Sequence, residues 1–78
     1  MKLSVYSLKQ ILFQGEASSL NCKTVMGEIT VLDNHETLIT VLSAGIVKVV
    51  ADKEYFFNIT GGFLEVKPGN EVRCIVEQ

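Results

Sequence analysis

Seventy-eight residues with seven Lys and Arg against nine Asp and Glu carry a formal net charge of -2, which supplies no clustered basic footprint for nucleic acid. A chain this short has room for one domain, spanning 1–78, and one core, burying only roughly 60 to 65% of the surface it exposes when unfolded. No apolar run approaches the ~20 residues needed to span a bilayer, and the opening MKLSVYSLKQ lacks the uninterrupted apolar segment of a signal peptide, so the expectation is a soluble, cytoplasmic protein.

In chain order, Leu3, Val5 and Ser7 alternate with Ser4, Tyr6 and Leu8, which predicts a first strand. Ile11, Leu12 and Phe13 lead to Gly15, a bend or bulge. Residues 16–24 alternate again, with Leu20 and Cys22 on one side and Ser19 and Asn21 on the other. Ile29 to Leu32 and Leu38 to Leu42 are rich in β-branched residues and read as strands. Between them Asp33, Asn34, His35 and Glu36 form a polar turn, and Asn tolerates positive φ, so a hairpin or corner is expected there. This turn is the leading functional candidate. Ser43, Ala44 and Gly45 predict a second turn before a strand over 46–51. Asp52 and Lys53 predict a two-residue hairpin loop into 54–60, where Tyr55, Phe57 and Ile59 line one face. Gly61 and Gly62 should interrupt the ladder before Phe63 to Lys67, and Pro68, Gly69 and Asn70 turn the chain into a last strand, Val72 to Val76.

Eight to ten short strands without a helical apolar period predict an all-β fold, a small antiparallel β-sandwich or flattened barrel. Several strands are apolar on both faces. Leu38 and Leu42 oppose Ile39 and Val41, Ile46 and Val50 oppose Val47, Val49 and Ala51, and Phe56 opposes Tyr55, Phe57 and Ile59. A sandwich strand needs one apolar face only, so the surplus calls for barrel closure or for a protein partner.

The catalytic inventory is thin. His35 is the only histidine, Cys22 and Cys74 lie outside any CxxC or Cys/His cluster, and the glycines sit in turns with no phosphate-loop pattern around them. No catalytic, cofactor or metal residue is therefore assigned, and the two cysteines read as small apolar core or half-buried residues in a reducing compartment, with a disulfide as the alternative if they sit on adjacent strands.

The run GEITVLDNHETLITVLSAG, preceded by LFQGEASSL and followed by GGFLEVKPGNEVRCIVE, resembles the epsilon subunit of rotary ATP synthases. The match is carried by Gly27, Glu28, Asn34, His35, Leu38, Thr40, Leu42, Gly45, Gly61, Gly62, Leu64, Glu65, Val66, Asn70 and Val72, in collinear order over nearly the whole chain. The resemblance implies a non-catalytic β-sandwich at the foot of the central stalk, peripheral to the membrane, which binds the gamma subunit along one sheet and rests on the polar loops of the c-ring. It implies a c-ring contact at Gly27 and Glu28, and gamma-subunit contacts at Ser7, His35, Leu38, Thr40 and Leu42. The double-faced strands fit that reading, since gamma would cover the surplus.

Thr30, Asp33, Thr37 and Ala44 depart from the family pattern, three of them standing where it has proline, which leaves those turns less preorganised. The family's C-terminal helical hairpin has no counterpart before Gln78, so its ATP-sensing and rotation-blocking roles are not carried over. Other classes compete with this reading. The alternative is a small-barrel protein-interaction or nucleic-acid-binding module; nucleic-acid binding would need cations among Tyr55, Phe56, Phe57 and Phe63, where only Lys53 and Lys67 are near in sequence. A biotinyl or lipoyl carrier would need a modifiable Lys at a hairpin tip, and Lys53 lacks the flanking Met residues of that signal.

Overall fold

The computed structural model describes all of Met1–Gln78. Nine strands follow one another without a helix: β1 (Lys2–Tyr6), β2 (Ile11–Glu16), β3 (Ser19–Thr24), β4 (Gly27–Leu32), β5 (Leu38–Leu42), β6 (Gly45–Val50), β7 (Glu54–Ile59), β8 (Gly61–Lys67) and β9 (Glu71–Glu77). Hydrogen bonding joins them in the order β2-β1-β9-β8-β5-β3-β6-β7, with β4 added to β3. The β5 to β3 step is a single bridge, Thr24 to Leu42. There the sheet folds over into a five-strand layer, β2-β1-β9-β8-β5, and a four-strand layer, β4-β3-β6-β7. The sandwich predicted from alternation is the fold observed.

Alternation also decides what lies between the layers. Leu3, Val5, Leu42, Leu64, Val66, Val72, Cys74 and Val76 point inward from one layer, and Leu20, Cys22, Val31, Val47, Val49 and Ile59 from the other. Nearly all are Val, Leu or Ile, which pack well on a pleated surface. No buried side-chain polar atom is left without a hydrogen bond.

Connections depart from expectation in several places. Strands β4 and β5 do not pair, so the Asp33–Glu36 turn is a corner that carries the chain from one layer to the other. Asn34 takes φ 61° and His35 N–H donates to Leu32 O at 3.2 Å, and the extended residues that follow cross to β5. The hairpin in this part of the chain lies earlier, at Val25–Met26, where β3 reverses into β4 and pairs with it from Thr24–Gly27 to Ser19–Leu32. Ser43–Gly45 is likewise a layer switch, since β5 pairs with β8 while β6 pairs with β7 and β3. Val50 pairs with Glu54, so the β6–β7 loop has three residues, Ala51 to Lys53, instead of two.

Gly61 and Gly62 lie inside β8, paired to Glu77 and Val76, and do not interrupt it. Gly62 is required there. Its φ is +149°, and a Cβ would lie 2.2 Å from Ile75 O. Strand β1 stops at Tyr6, leaving Ser7 and Leu8 in a loop, and it pairs in parallel with β9. That single parallel pair joins strands from opposite ends of the sequence, a long-range choice that local patterning does not encode.

Candidate functional site

Outward-facing residues distinguish the two layers. On the five-strand layer, Tyr6 stands opposite Ile11 on one side and Ile75 on the other. Ile75 stands opposite Phe63, and Phe63 opposite Val41. Directly opposite residues share a face, so Ile11, Tyr6, Ile75, Phe63 and Val41 form one apolar row across five strands. Ile11 is 64% exposed and Phe63 57%, far from the interior of any single-layer core. The fully exposed Leu8 stands beside this row, which borders a groove of about 360 Å³ also lined by Leu42, Gly61, Gly62, Val76 and Glu77.

The next row of the same face is polar except at Ile39. Ser4 neighbours Arg73, Arg73 neighbours Glu65, and Glu65 neighbours Ile39. Arg73 Nη2 donates to Glu65 Oε1 at 2.7 Å, and that hydrogen bond holds the guanidinium above its ordinary pKa. The outer face of the four-strand layer is mixed throughout. Asn21 Nδ2 donates to Thr30 Oγ1 at 2.8 Å, and Lys48 pairs with Glu54 at 3.2 Å while lying over the Phe56 ring. Leu32, Ile46 and Phe56 are also exposed on that layer, but they are set among polar neighbours, so the one unbroken apolar row lies on the five-strand layer, toward one end of it.

Tracing the strands places the sequence-predicted residues at two ends of the molecule. Ser7 follows Tyr6 and so lies at the end of the apolar row, its N–H donating to Gln10 O at 2.9 Å. Gly27 and Glu28 lie at this same end, because Gly27 is opposite Thr24 and Thr24 opposite Leu42. His35 is at the other end, beyond Leu32 and before Leu38.

The His35 end is a polar clasp. The Met1 ammonium donates to Ala17 O at 2.9 Å and to Asp33 Oδ1, with Glu16 Oε2 at 3.5 Å. Asn70 Oδ1 accepts from Asn34 N–H at 2.8 Å, and its Nδ2 donates to Asp33 at 3.2 Å. The hydrogen bond from the ammonium, then the one from Asn70, lowers the Asp33 carboxyl below its usual range, and the same contact raises the ammonium. His35 Nδ1 lies 2.8 Å from Glu36 O. These contacts give the turn a structural role.

On β5 the parity differs from the expected contact face. Leu42 is 2% exposed, and Leu38 packs against the core. Thr40 shares their side of the strand, opposite the buried Leu64. Ile39 and Val41, 73% and 44% exposed, are the outward residues. Because Leu38, Ile39, Val41 and Leu42 are all apolar, composition could not choose between the faces; pairing to β8 does. Phe63 and Ile75 also lie outside the set of contacts that the resemblance implies. Their signal was present in β9, where Val72, Cys74 and Val76 take the inward positions and leave Ile75 as the one apolar residue facing out. Neither end assembles a metal set, as no three His, Cys, Asp or Glu side chains converge.

Comparison with known proteins places this surface in context. The ATP synthase delta/epsilon chain β-sandwich domain family matches residues 1–78. The ATP synthase epsilon chain of Aquifex aeolicus (strain VF5) is 34% identical over 68 residues, 87% of this chain and 52% of the relative. A chain of the Euglena gracilis mitochondrial ATP synthase, from its OSCP/F1/c-ring structure in rotational state 1, superposes with a TM-score of 0.91 at 25% identity. The match covers 100% of this chain and 51% of that one. A chain of the central stalk and c-ring structure of the Tetrahymena thermophila mitochondrial ATP synthase shares the fold, with a TM-score of 0.89 at 19% identity over 100% of this chain and 63% of that chain. This chain therefore spans about half the length of the Aquifex and Euglena relatives.

Proposed function

The chain belongs to the ATP synthase delta/epsilon family, and from that premise we propose that it is a non-catalytic part of the rotating central stalk, coupling an ion-driven c-ring to the gamma subunit. The observation that carries the proposal is the apolar row Ile11, Tyr6, Ile75, Phe63 and Val41, which the fold builds on one outer face and does not cover. A soluble monomer seldom leaves such a row to water. In this reading gamma covers it, and the domain is held to the membrane only through the assembled complex, on the cytoplasmic side. Gly27 and Glu28, at the same end of the sandwich, meet the polar loops of the c-ring. Ser7 lies within reach of the gamma surface, while Leu38, Thr40 and Leu42 act from behind it by setting the position of Ile39 and Val41.

The mechanism asks for no bond to be made or broken. Torque passes from the ring into the Gly27 end, through a sheet whose pairing runs from β2 to β7 and narrows to a single bridge between β5 and β3, and out through the apolar face. Co-purification with gamma tests the proposal. Wild-type chain is expected to elute with gamma, and Phe63→Asp to lose it while keeping its circular dichroism. Removal of a central aromatic anchor costs on the order of 2 kcal/mol, about thirtyfold in Kd. Equal binding by wild type and Phe63→Asp would remove the face from the interface.

A further inference from the structure

Met1 is built into the sandwich. It is 3% exposed, and its side chain belongs to the buried cluster between the layers. Its carbonyl accepts from Ala17 N–H at 2.9 Å while its ammonium donates to Ala17 O at 2.9 Å. This exchange is the hydrogen-bonded pair of an antiparallel ladder, one step beyond Lys2 and Glu16. An amide nitrogen here would have a single N–H and give it to Ala17. The ammonium has three, and the others face two carboxylates: Asp33 Oδ1 accepts one, and Glu16 Oε2 lies 3.5 Å away. The two acids are not equivalent. The Glu16 side chain is 81% exposed and stands opposite Lys2, whereas Asp33 forms no ion pair except with the ammonium. Asp33 in turn accepts from Asn70, which accepts from Asn34 N–H. One charged group thus links the β1–β2 ladder to the corner between the layers and, through Asn70, to the β8–β9 turn.

We propose that the Met1 α-amine is a modification-sensitive site: in a chain that starts at Met1, the free amine closes the His35 end of the sandwich, and a formyl or acetyl group on that amine loosens it. Acylation turns the ammonium into a neutral amide with a single N–H. That N–H can stay in the ladder with Ala17, so β1 and β2 remain paired. The loss is selective. Both carboxylate contacts go, because the acyl group brings an acceptor oxygen, and no donor, to a place already lined by the acceptors Asp33 and Glu16. Glu16 still has Lys2 opposite it, while Asp33 keeps only Asn70. A charge-assisted hydrogen bond is stronger than the neutral one left behind, and the Met1 side chain, fixed in the core, holds the nitrogen beside Asp33 whether or not it is acylated. The inference involves no partner chain and stands apart from the stalk reading.

Ligation at Cys22 gives the test without altering the sequence. A synthetic 1–21 thioester with a free, formylated or acetylated α-amine is joined to 22–78, and each product is melted at pH 7, with and without Asp33→Asn. Either acyl group is expected to lower Tm by ~4 °C or more and to speed hydrogen exchange of the Asn34 amide about fivefold. Asp33→Asn, which keeps a side-chain oxygen for Asn70, should lower the Tm of the free-amine chain by a similar amount and that of the acylated chains by less than half as much, because the contact it removes is already gone. Equal melting of free and acylated chains overturns the proposal, and so does a fall in Tm with Asn34 exchange unchanged. An Asp33→Asn cost that is the same in both backgrounds, zero included, overturns it as well, since the acyl group would then act by crowding alone.

Discussion

Paired truncations on β5 test the face assignment directly. Leu42 is 2% exposed between the layers and Val41 44% exposed on the outer face, one residue away. A buried Leu→Ala change loses transfer energy and leaves a cavity, together about 2 to 5 kcal/mol. At ~0.05 to 0.15 kcal/mol per residue the whole domain has roughly 4 to 12 kcal/mol of stability, so a cost near ~3 kcal/mol removes a quarter to three quarters of it. For a domain of this size each kcal/mol moves Tm by about 4 to 8 °C, giving a fall of roughly 12 to 24 °C for Leu42→Ala. Val41→Ala removes two methyls that are already half in water and should cost under ~1 kcal/mol. Urea unfolding followed by far-ultraviolet circular dichroism, fitted with a common m-value, reads both numbers. A Val41→Ala cost equal to or above that of Leu42→Ala would mean that β5 presents its other face to the core, and the row across the sheet would be lost with it.

Four further outcomes are expected. Gly62→Ala should fail to fold or lose more than ~3 kcal/mol, because its Cβ would meet Ile75 O at 2.2 Å, whereas Gly61→Ala meets only the movable end of Glu77 at 3.0 Å and should cost ~1 kcal/mol or less, both read by thermal melts. Burial pushes the Cys22 thiol up to about 11 and the Cys74 thiol up to about 12, so neither should react with a thiol reagent at pH 8 until urea unfolds the chain. The sign follows from linkage: the unfolded thiols ionise near 9 while the folded ones stay protonated, so their contribution is whole below pH 9 and declines as pH rises through 11. Asp33→Asn should lower Tm near neutral pH and flatten the acid limb, since the depressed Asp33 carboxyl stabilises the fold above its unfolded pKa and ceases to do so as pH falls through its lower folded value. Glu28→Lys, on an exposed strand position opposite Lys23, should lower Tm only slightly through like-charge repulsion and reduce ion-driven ATP synthesis in the reconstituted enzyme; full synthesis would remove the proposed c-ring contact.

Strands were legible in the sequence because burial repeats every second residue. Leu20 and Cys22 lie inward against Ser19 and Asn21 as alternation predicts. Pairing was less legible. Asp33 and Asn34 carry strong turn chemistry, yet they make a corner, and the reversal next to it falls at Val25–Met26, where neither residue favours a turn. Gly27, with φ +121°, and the Thr24 hydroxyl supply what those two residues lack. On β5 the double apolar character that signalled a partner also concealed which face would meet it. The row itself depends on β1 lying parallel to β9 and β9 beside β8, contacts between segments so far apart that no local pattern records them.

A part that transmits torque must deform less than the parts it joins, and the two ends of this sandwich bear on that in different ways. At the His35 end, Asn70 ties one turn to the other while the Met1 ammonium ties the β2–β3 loop to Asp33. Opening that end therefore means breaking several charge-assisted hydrogen bonds together, although each is individually modest in water. At the Gly27 end apolar side chains are exposed, and the layers are joined by the β5–β6 and β7–β8 connections, the Thr24–Leu42 bridge and hydrogen bonds between uncharged groups, among them Val25 N–H to Val41 O, Ser43 N–H to Lys23 O and Gln78 Nε2–H to Asn58 O. If gamma covers that end, it shields hydrogen bonds that no charge reinforces, so binding should protect the amides of Val25, Leu42 and Ser43 from hydrogen exchange more than those of Asn34 or Asn70. Uniform protection along the sheet would show that the partner adds no stiffness at that end in particular.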